Sequence, residues 1–197
     1  MFHKQMNQFI SEVYQKGEKL ELFKEEKEFA VKHGLIPTDS EAVIEKDPSA
    51  RFSDAYIERC DKESENLLAS ETAAFLNQAI TYLKEHKNEF IYVESNWFEL
   101  IGVDAVSLEV DDVFGTYDVM LGLKVQKKFE KIIKDQLNNR LQGDEDKFDL
   151  MFNHDDGLWN LNFTLNNVDG FNEVMSIGEA YQLIYRFLFK LGEAIEV

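Results

Sequence analysis

Residues 148–165 read FDLMFNHDDGLWNLNFTL and contain the clearest structural pattern in the chain. Large apolar residues stand at every second position on both sides of the tetrad His154-Asp155-Asp156-Gly157. Successive side chains of a β-strand point to opposite faces, so each half predicts a strand with one apolar face. Asp-Gly favours a tight turn, and the two halves are therefore predicted to form a β-hairpin.

The same alternation, followed toward the N-terminus, predicts three more strands. They lie at about residues 89–94, 105–111 and 115–124. In the last two, Val106, Leu108 and Val110 and then Tyr117, Val119, Leu121 and Leu123 are predicted to face inward.

Helical spacing of apolar residues marks three further segments. We predict helices over residues 63–85, 125–141 and 177–193. The last follows Ser176-Ile177-Gly178-Glu179, which matches a capping box, in which the serine and glutamate side chains satisfy unpaired amides. The predicted order of elements is therefore α-β-β-β-α-β-β-α.

These elements predict an α+β domain over residues 63–197, with an antiparallel five-stranded sheet and helices on one face. Residues 1–62 are predicted to form an N-terminal helical extension that packs on this domain. It would hold a helix from about His3 to His33 and a short helix near Ala50 to Cys60. The final helix is apolar almost all round, so we expect it to be central or to be shared with a second copy in a homodimer.

The composition of the chain limits the classes of protein to which it can belong. The chain has 197 residues, of which 44% are hydrophobic and 16 are phenylalanine, which is enough for a substantial core. A single Cys60 excludes an intramolecular disulfide. No apolar run of a secretory signal stands at the start, and no stretch reaches the length of a membrane span. We therefore expect a cytoplasmic protein that does not bind membranes.

The charge is strongly negative and unevenly placed. The formal net charge is −17, and residues 88–123 contain eight carboxylates and no lysine or arginine. Phosphate contacts need a basic surface, so the sheet is not expected to bind nucleic acid. The predicted helix at 125–141 is lysine-rich, and we interpret it as a solvated face that offsets the nearby acid.

One face of an antiparallel sheet can be left to solvent, and this face is the predicted binding surface. Carboxylates, amides and methionines together form an adaptable surface for a cationic or amphipathic segment. An ordinary solvated sheet face is the alternative interpretation. The candidate binding residues are Glu109, Asp111, Asp118, Met120, Asp149, Met151, Asn160 and Asn162.

The sequence indicates no metal or cofactor site. The four histidines are scattered, and the tetrad at 154–157, near Asp144-Glu145-Asp146, is interpreted as a turn rather than a metal cluster. Cys60 has acidic neighbours and no histidine close in sequence, so it is interpreted as a structural cysteine. No glycine-rich phosphate loop is present.

Two resemblances bear on function. The element order of residues 63–197 resembles that of bacterial secretion chaperones and related small acidic proteins, and implies a protein that binds other polypeptides. The stretches 51–60 (RFSDAYIERC) and 113–123 (VFGTYDVMLGL) resemble a family of short bacterial proteins identified as branched-chain amino acid aminotransferases. That resemblance implies pyridoxal phosphate held by a lysine, and Lys124 and Lys147 stand beside predicted strands.

We therefore predict a non-enzymatic, acidic protein-binding module, either chaperone-like or immunity-like. It would present the acidic sheet face, or an edge strand, to a basic or partly unfolded protein partner. No cofactor is expected on this hypothesis. The alternative is the pyridoxal-phosphate-dependent aminotransferase.

Overall fold

The computed structural model describes residues 2–15, 20–37, 43–143 and 147–195. Short 3-10 turns lie at Pro48–Ala50, Ala73–Asn77, Lys127–Phe129 and Leu165–Asn167. The helices and strands, in chain order, are α1 (Phe2–Gln15), β1 (Leu20–Leu22), α2 (Lys24–Lys32), β2 (Val43–Glu45), β3 (Tyr56–Asp61), β4 (Leu67–Glu71), α3 (Tyr82–Glu85), β5 (Glu89–Glu94), α4 (Asn96–Leu100), β6 (Val103–Val110), β7 (Tyr117–Leu123), α5 (Glu130–Arg140), β8 (Phe148–Asn153), β9 (Leu158–Thr164) and α6 (Ile177–Ile195).

The main sheet has seven antiparallel strands in the order β4-β3-β5-β6-β7-β9-β8. Its inner face is apolar over most of its area and packs against α6. Tyr181 of this helix is fully buried, and its hydroxyl donates to the carbonyl of Ile91 at 2.8 Å. The architecture is therefore α+β, as predicted, with one face of the sheet covered by helix.

The prediction of five strands was wrong, because β3 and β4 arise from segments that we predicted to be helical. On β3, Arg59 occupies an inward position, between Ile57 and Asp61 in the alternation. Its guanidinium bonds to Glu71 and Glu89, at 2.8 and 2.9 Å. A charged residue at an inward position breaks the apolar alternation by which strands are predicted. The pattern of the sequence therefore did not indicate β3.

The predicted helix at 63–85 was also wrong. The segment contains β4, a 3-10 turn and the short helix α3. Leu68, Phe75, Leu76 and Leu83 share helical spacing by sequence, but Leu68 is exposed whereas the other three are buried. Pairing with β3 from the preceding segment, rather than local spacing, decides the structure of residues 67–71.

The single helix predicted from His3 to His33 is interrupted. α1 and α2 are separated by β1, which pairs in parallel with β2. Leu20 and Leu22 are buried on either side of exposed Glu21, which is the alternation of a strand. Phe2, Met6 and Ile10 of α1 are buried, as their apolar character requires.

The later elements follow the sequence more closely. The strands expected at 89–94, 105–111 and 115–124 are present, and the predicted hairpin is β8 and β9. Gly157 in its turn has φ +69°, a conformation that glycine adopts without strain. The predicted capping box is confirmed, since Ser176 N donates to Glu179 and Glu179 N donates to Ser176 Oγ, at 2.7 and 3.2 Å.

A buried ionic cluster ties the N-terminal segment to α6. Arg51 is 2% exposed and donates to Glu26 at 2.8 Å and to Glu25 at 2.6 Å. Its guanidinium lies over the rings of Phe23 and Tyr185, at 4.1 and 3.9 Å from their centroids. The cluster is fully paired, as a buried charge requires.

One core cluster runs from Phe2 to Ile195. Phe187 packs on Phe163, and Phe189 packs on Phe2, so both rings are covered within the chain. This removes the observation on which the homodimer was predicted, and the dimer itself stays a prediction. So does the domain boundary at residue 62, because a shared core does not say which part of a chain folds alone.

Candidate functional site

The second face of the main sheet is the candidate site, and we call it the open face. Side chains that alternate with the buried ones point to this side, and most of them are exposed or half-buried. Five of the seven strands place carboxylates there. These are Glu58 on β3, Glu94 on β5, Asp104 and Glu109 on β6, Asp118 on β7 and Asp149 on β8.

On the adjacent strands β6 and β7, two carboxylates of the open face stand directly opposite each other. Glu109 and Asp118 are a cross-strand pair of β6 and β7, and both are half-buried. Burial raises the pKa of both carboxyls, and nearby carboxylates, Asp118 beside Glu109 and Asp111 beside Asp118, raise it further. Lys62 lies 3.5 Å from Glu109 and opposes this effect from one side.

Hydroxyl groups supply the other partners of these acids. Thr164 donates to Asp118 at 3.2 Å, and Tyr92 donates to Glu94 at 2.6 Å. Tyr56 likewise donates to Glu58. Among the described residues, Glu58, Glu94 and Asp118 form no ion pair within 4 Å. These three carboxylates thus carry negative charge that hydroxyl groups solvate and that no described lysine or arginine neutralises within 4 Å.

The tyrosines and their glutamates were not predicted as site residues. Tyr56 and Glu58 fell in the segment predicted to be helical. Tyr92 and Glu94 fell in a predicted strand whose outward side chains we did not assign. The sequence does contain a pattern that indicates Tyr92 and Glu94. They alternate with the apolar residues Ile91 and Val93, so they must lie on the face of the strand opposite the core.

The structure brings seven of the eight predicted residues to the open face. Met120, Asn162 and Asp149 lie in one row across β7, β9 and β8. Asn160 and Met151 form the adjacent row, and Met151 is 60% exposed. Together with Glu109 and Asp118 they form one continuous surface.

Asp111 is the exception, because it follows β6 and lies in the turn to β7. Its Oδ1 accepts from the amides of Val113 and Phe114, at 2.8 and 2.6 Å. These two hydrogen bonds hold the pKa of Asp111 below its usual range. The side chain therefore shapes a turn whose tip, Val113 and Phe114, is largely exposed.

The edge strands offer the other predicted mode of binding. β4 and β8 end the sheet, and no described strand pairs with their outer sides. Leu67 and Leu68 of β4 are exposed, and the pairing of β3 and β4 shifts register between Arg59 and Cys60. Such irregularity makes an edge less able to accept another strand. Binding at an edge stays a prediction.

The other residues considered in the sequence analysis are the cysteine, two lysines and an acidic triplet. Burial and the charge of Glu58 raise the pKa of the Cys60 thiol. Lys124 pairs with Asp104, and Lys147 Nζ donates to the carbonyl of Leu141 at 3.1 Å. Asp144-Glu145-Asp146 lies outside the described residues. In the part of the chain that is described, no group of three or more His, Cys, Asp and Glu side chains is arranged to hold a metal ion.

Comparison of the chain with protein-family models, with curated proteins and with solved structures gives no match. The resemblances to secretion chaperones and to the aminotransferase family therefore stay predictions. Within the described ranges, none of the helices combines the length and the apolar character needed to cross a bilayer.

Proposed function

We propose that this protein is a non-enzymatic binding module whose open face holds a basic segment of another protein. The observation that supports this most directly is the pair Glu109 and Asp118. Like charges placed opposite each other on neighbouring strands destabilise a sheet by roughly 0.2–1 kcal/mol. Lys62 already lies 3.5 Å from Glu109, whereas Asp118 forms no ion pair with a described residue. A cation bound beside Asp118 would turn the remaining repulsion into attraction, so this side of the pair is better suited to a complex than to the free protein.

The spread of the carboxylates favours an extended partner over a single ion. Glu58 on β3 and Asp149 on β8 are separated by five strand spacings, which is about 24 Å at about 4.8 Å each. One metal ion or small amine cannot contact both. A peptide segment with several lysines or arginines can, because successive charged side chains reach successive strands.

The rest of the surface suits a partner of variable sequence. Tyr56 and Tyr92 present ring area together with a hydroxyl, and Met120 and Met151 add flexible apolar contacts. Long-range attraction by the net charge of −17 would speed the encounter with a basic partner. A chaperone-like protein and an immunity-like protein would both use this complementarity, in the cytoplasm as we propose.

The proposal is tested with a synthetic peptide of alternating lysine and alanine, measured by calorimetry at low and at moderate salt. We expect binding that weakens with salt and that falls about tenfold in Glu109→Gln/Asp118→Asn, which corresponds to about 1.4 kcal/mol. The matched control is Glu21→Gln/Glu28→Gln, which removes the same charge from exposed positions on β1 and α2.

Equal loss in the two variants would mean that net charge, and not the open face, attracts the peptide. Equal binding of a glutamate-alanine peptide would also contradict the proposal. If the peptide binds as expected, capture from native lysate with wild type and with Glu109→Gln/Asp118→Asn identifies the partner as the protein that only wild type retains.

A further inference from the structure

A groove between α1 and α4 lies apart from the residues used above. Its volume is about 350 Å³, within the size range of small-molecule sites. Phe9, Trp97 and Leu100 provide its apolar surface, and the rings of Phe9 and Trp97 meet edge to face with centroids 5.7 Å apart. All three side chains are half-buried, so part of each remains available to a ligand.

The polar groups around this apolar surface carry negative charge. Glu12 and Glu99 both line the groove, and both are exposed. Glu12 accepts a hydrogen bond from Gln8 at 2.8 Å, and neither carboxylate forms an ion pair with a described residue. Gln5 also lines the groove, and its Oε1 is buried without a hydrogen-bond partner. Among the described residues that line the groove, several offer acceptors and none is a lysine or an arginine.

We propose that this groove binds a small organic cation with an apolar stem, of the alkylammonium or alkylguanidinium class. The stem packs on Phe9, Trp97 and Leu100, and the charged head lies between Glu12 and Glu99. Arg51 already lies over the Trp97 ring at 5.0 Å from its centroid. The carboxylates, rather than that ring, therefore supply most of the attraction for the head.

The chemistry of the head follows from the acceptors. Carboxylate and amide oxygens bond to N–H donors, which a quaternary ammonium lacks. A primary ammonium or a guanidinium is therefore expected to bind more tightly than a quaternary ammonium of similar size. The site does not depend on the open face, so each proposal can fail without the other.

The test is titration of the full chain with hexylammonium, followed by the indole N–H signals of its two tryptophans in NMR spectra. Trp97 lines the groove, whereas Trp159 is 2% exposed in the core and serves as an internal reference. We expect a saturable shift of the Trp97 signal and no shift of the Trp159 signal. Hexanol and hexanoate, which keep the stem, are expected to bind at least about fivefold more weakly, the effect of about 1 kcal/mol.

Two variants decide whether the carboxylates act as described. Glu12→Gln/Glu99→Gln is expected to weaken hexylammonium about fivefold or more, whereas Glu63→Gln/Glu85→Gln, which removes the same charge elsewhere, leaves it unchanged. Both pairs are exposed, and an unchanged Trp159 signal shows that the fold is intact. The proposal is overturned if Trp97 does not respond, if hexanoate binds equally well, or if the two variants behave alike.

Discussion

Asp118 illustrates how one side chain links stability to binding. It faces Glu109 across the strands, and its carboxyl is half-buried with a raised pKa. We expect Asp118→Asn to stabilise the free protein by about 0.5 kcal/mol at pH 7, because it removes the repulsion while the amide oxygen still accepts from Thr164. Urea denaturation measures the difference, and Asp149→Asn is the control, since Asp149 is exposed and faces the neutral Asn162.

The same variant gives a pH dependence of known sign. A carboxyl whose pKa is raised by folding binds its proton more tightly in the folded state than in the unfolded state. Its destabilising effect is therefore absent below the unfolded pKa and grows as the pH rises through the folded pKa. The advantage of Asp118→Asn should be small at about pH 4 and complete at neutral pH. An advantage that did not change with pH would contradict this explanation.

Among the elements, α1 and α6 meet at a contact that leaves no room for a side chain. A Cβ built on Gly192 of α6 would lie 2.8 Å from Cδ2 of Phe2. The Phe2 ring cannot move away easily, because it packs on the rings of Phe29 and Phe189. Its centroid lies 5.7 and 5.1 Å from theirs. Gly192 therefore permits the close approach of the two helices.

We expect Gly192→Ala to destabilise the protein by about 1–3 kcal/mol through overpacking. Alanine stabilises a helix by about 1 kcal/mol relative to glycine and so opposes the effect of the clash. A net loss of folding stability would therefore show that the clash with Phe2 dominates. In a Phe2→Ala background the clash is gone, and Gly192→Ala should become neutral or stabilising. Urea denaturation of the four proteins tests this, and an equal loss in both backgrounds would exclude the Phe2 contact as the cause.

The sequence predicted elements well where one face of a strand is uniformly apolar. The strands β6, β7, β8 and β9 fall in this class, and so does the hairpin turn at Gly157. β3 was missed because inward Arg59 is satisfied by Glu71 and Glu89, which come from other strands. Such long-range pairing is invisible to local spacing. The same miss hid Tyr56 and Glu58, so only part of the open face could be predicted.

At the scale of the whole molecule, the excess of negative charge opposes folding. The formal net charge is −17 on 197 residues, and like charges repel more strongly in the compact state. We expect the melting temperature to rise as NaCl increases from about 0.02 to about 0.3 M, because the screening length falls below about 10 Å.

A zwitterionic solute at matched osmolality is the control, since it does not screen charge. A melting temperature that stayed constant or fell with NaCl would mean that attractive pairs, such as Arg59 with Glu71 and Glu89, outweigh the net repulsion. The experiment thus separates the effect of total charge from that of specific pairs.

The position of α6 in the chain has a consequence for biosynthesis. Every strand of the main sheet precedes this helix, and α6 covers the apolar inner face. A nascent chain that has emerged only as far as β9 therefore carries strands whose hydrophobic side lacks the cover of α6. We expect the growing polypeptide to be most prone to aggregation until residues 177–195 leave the ribosome.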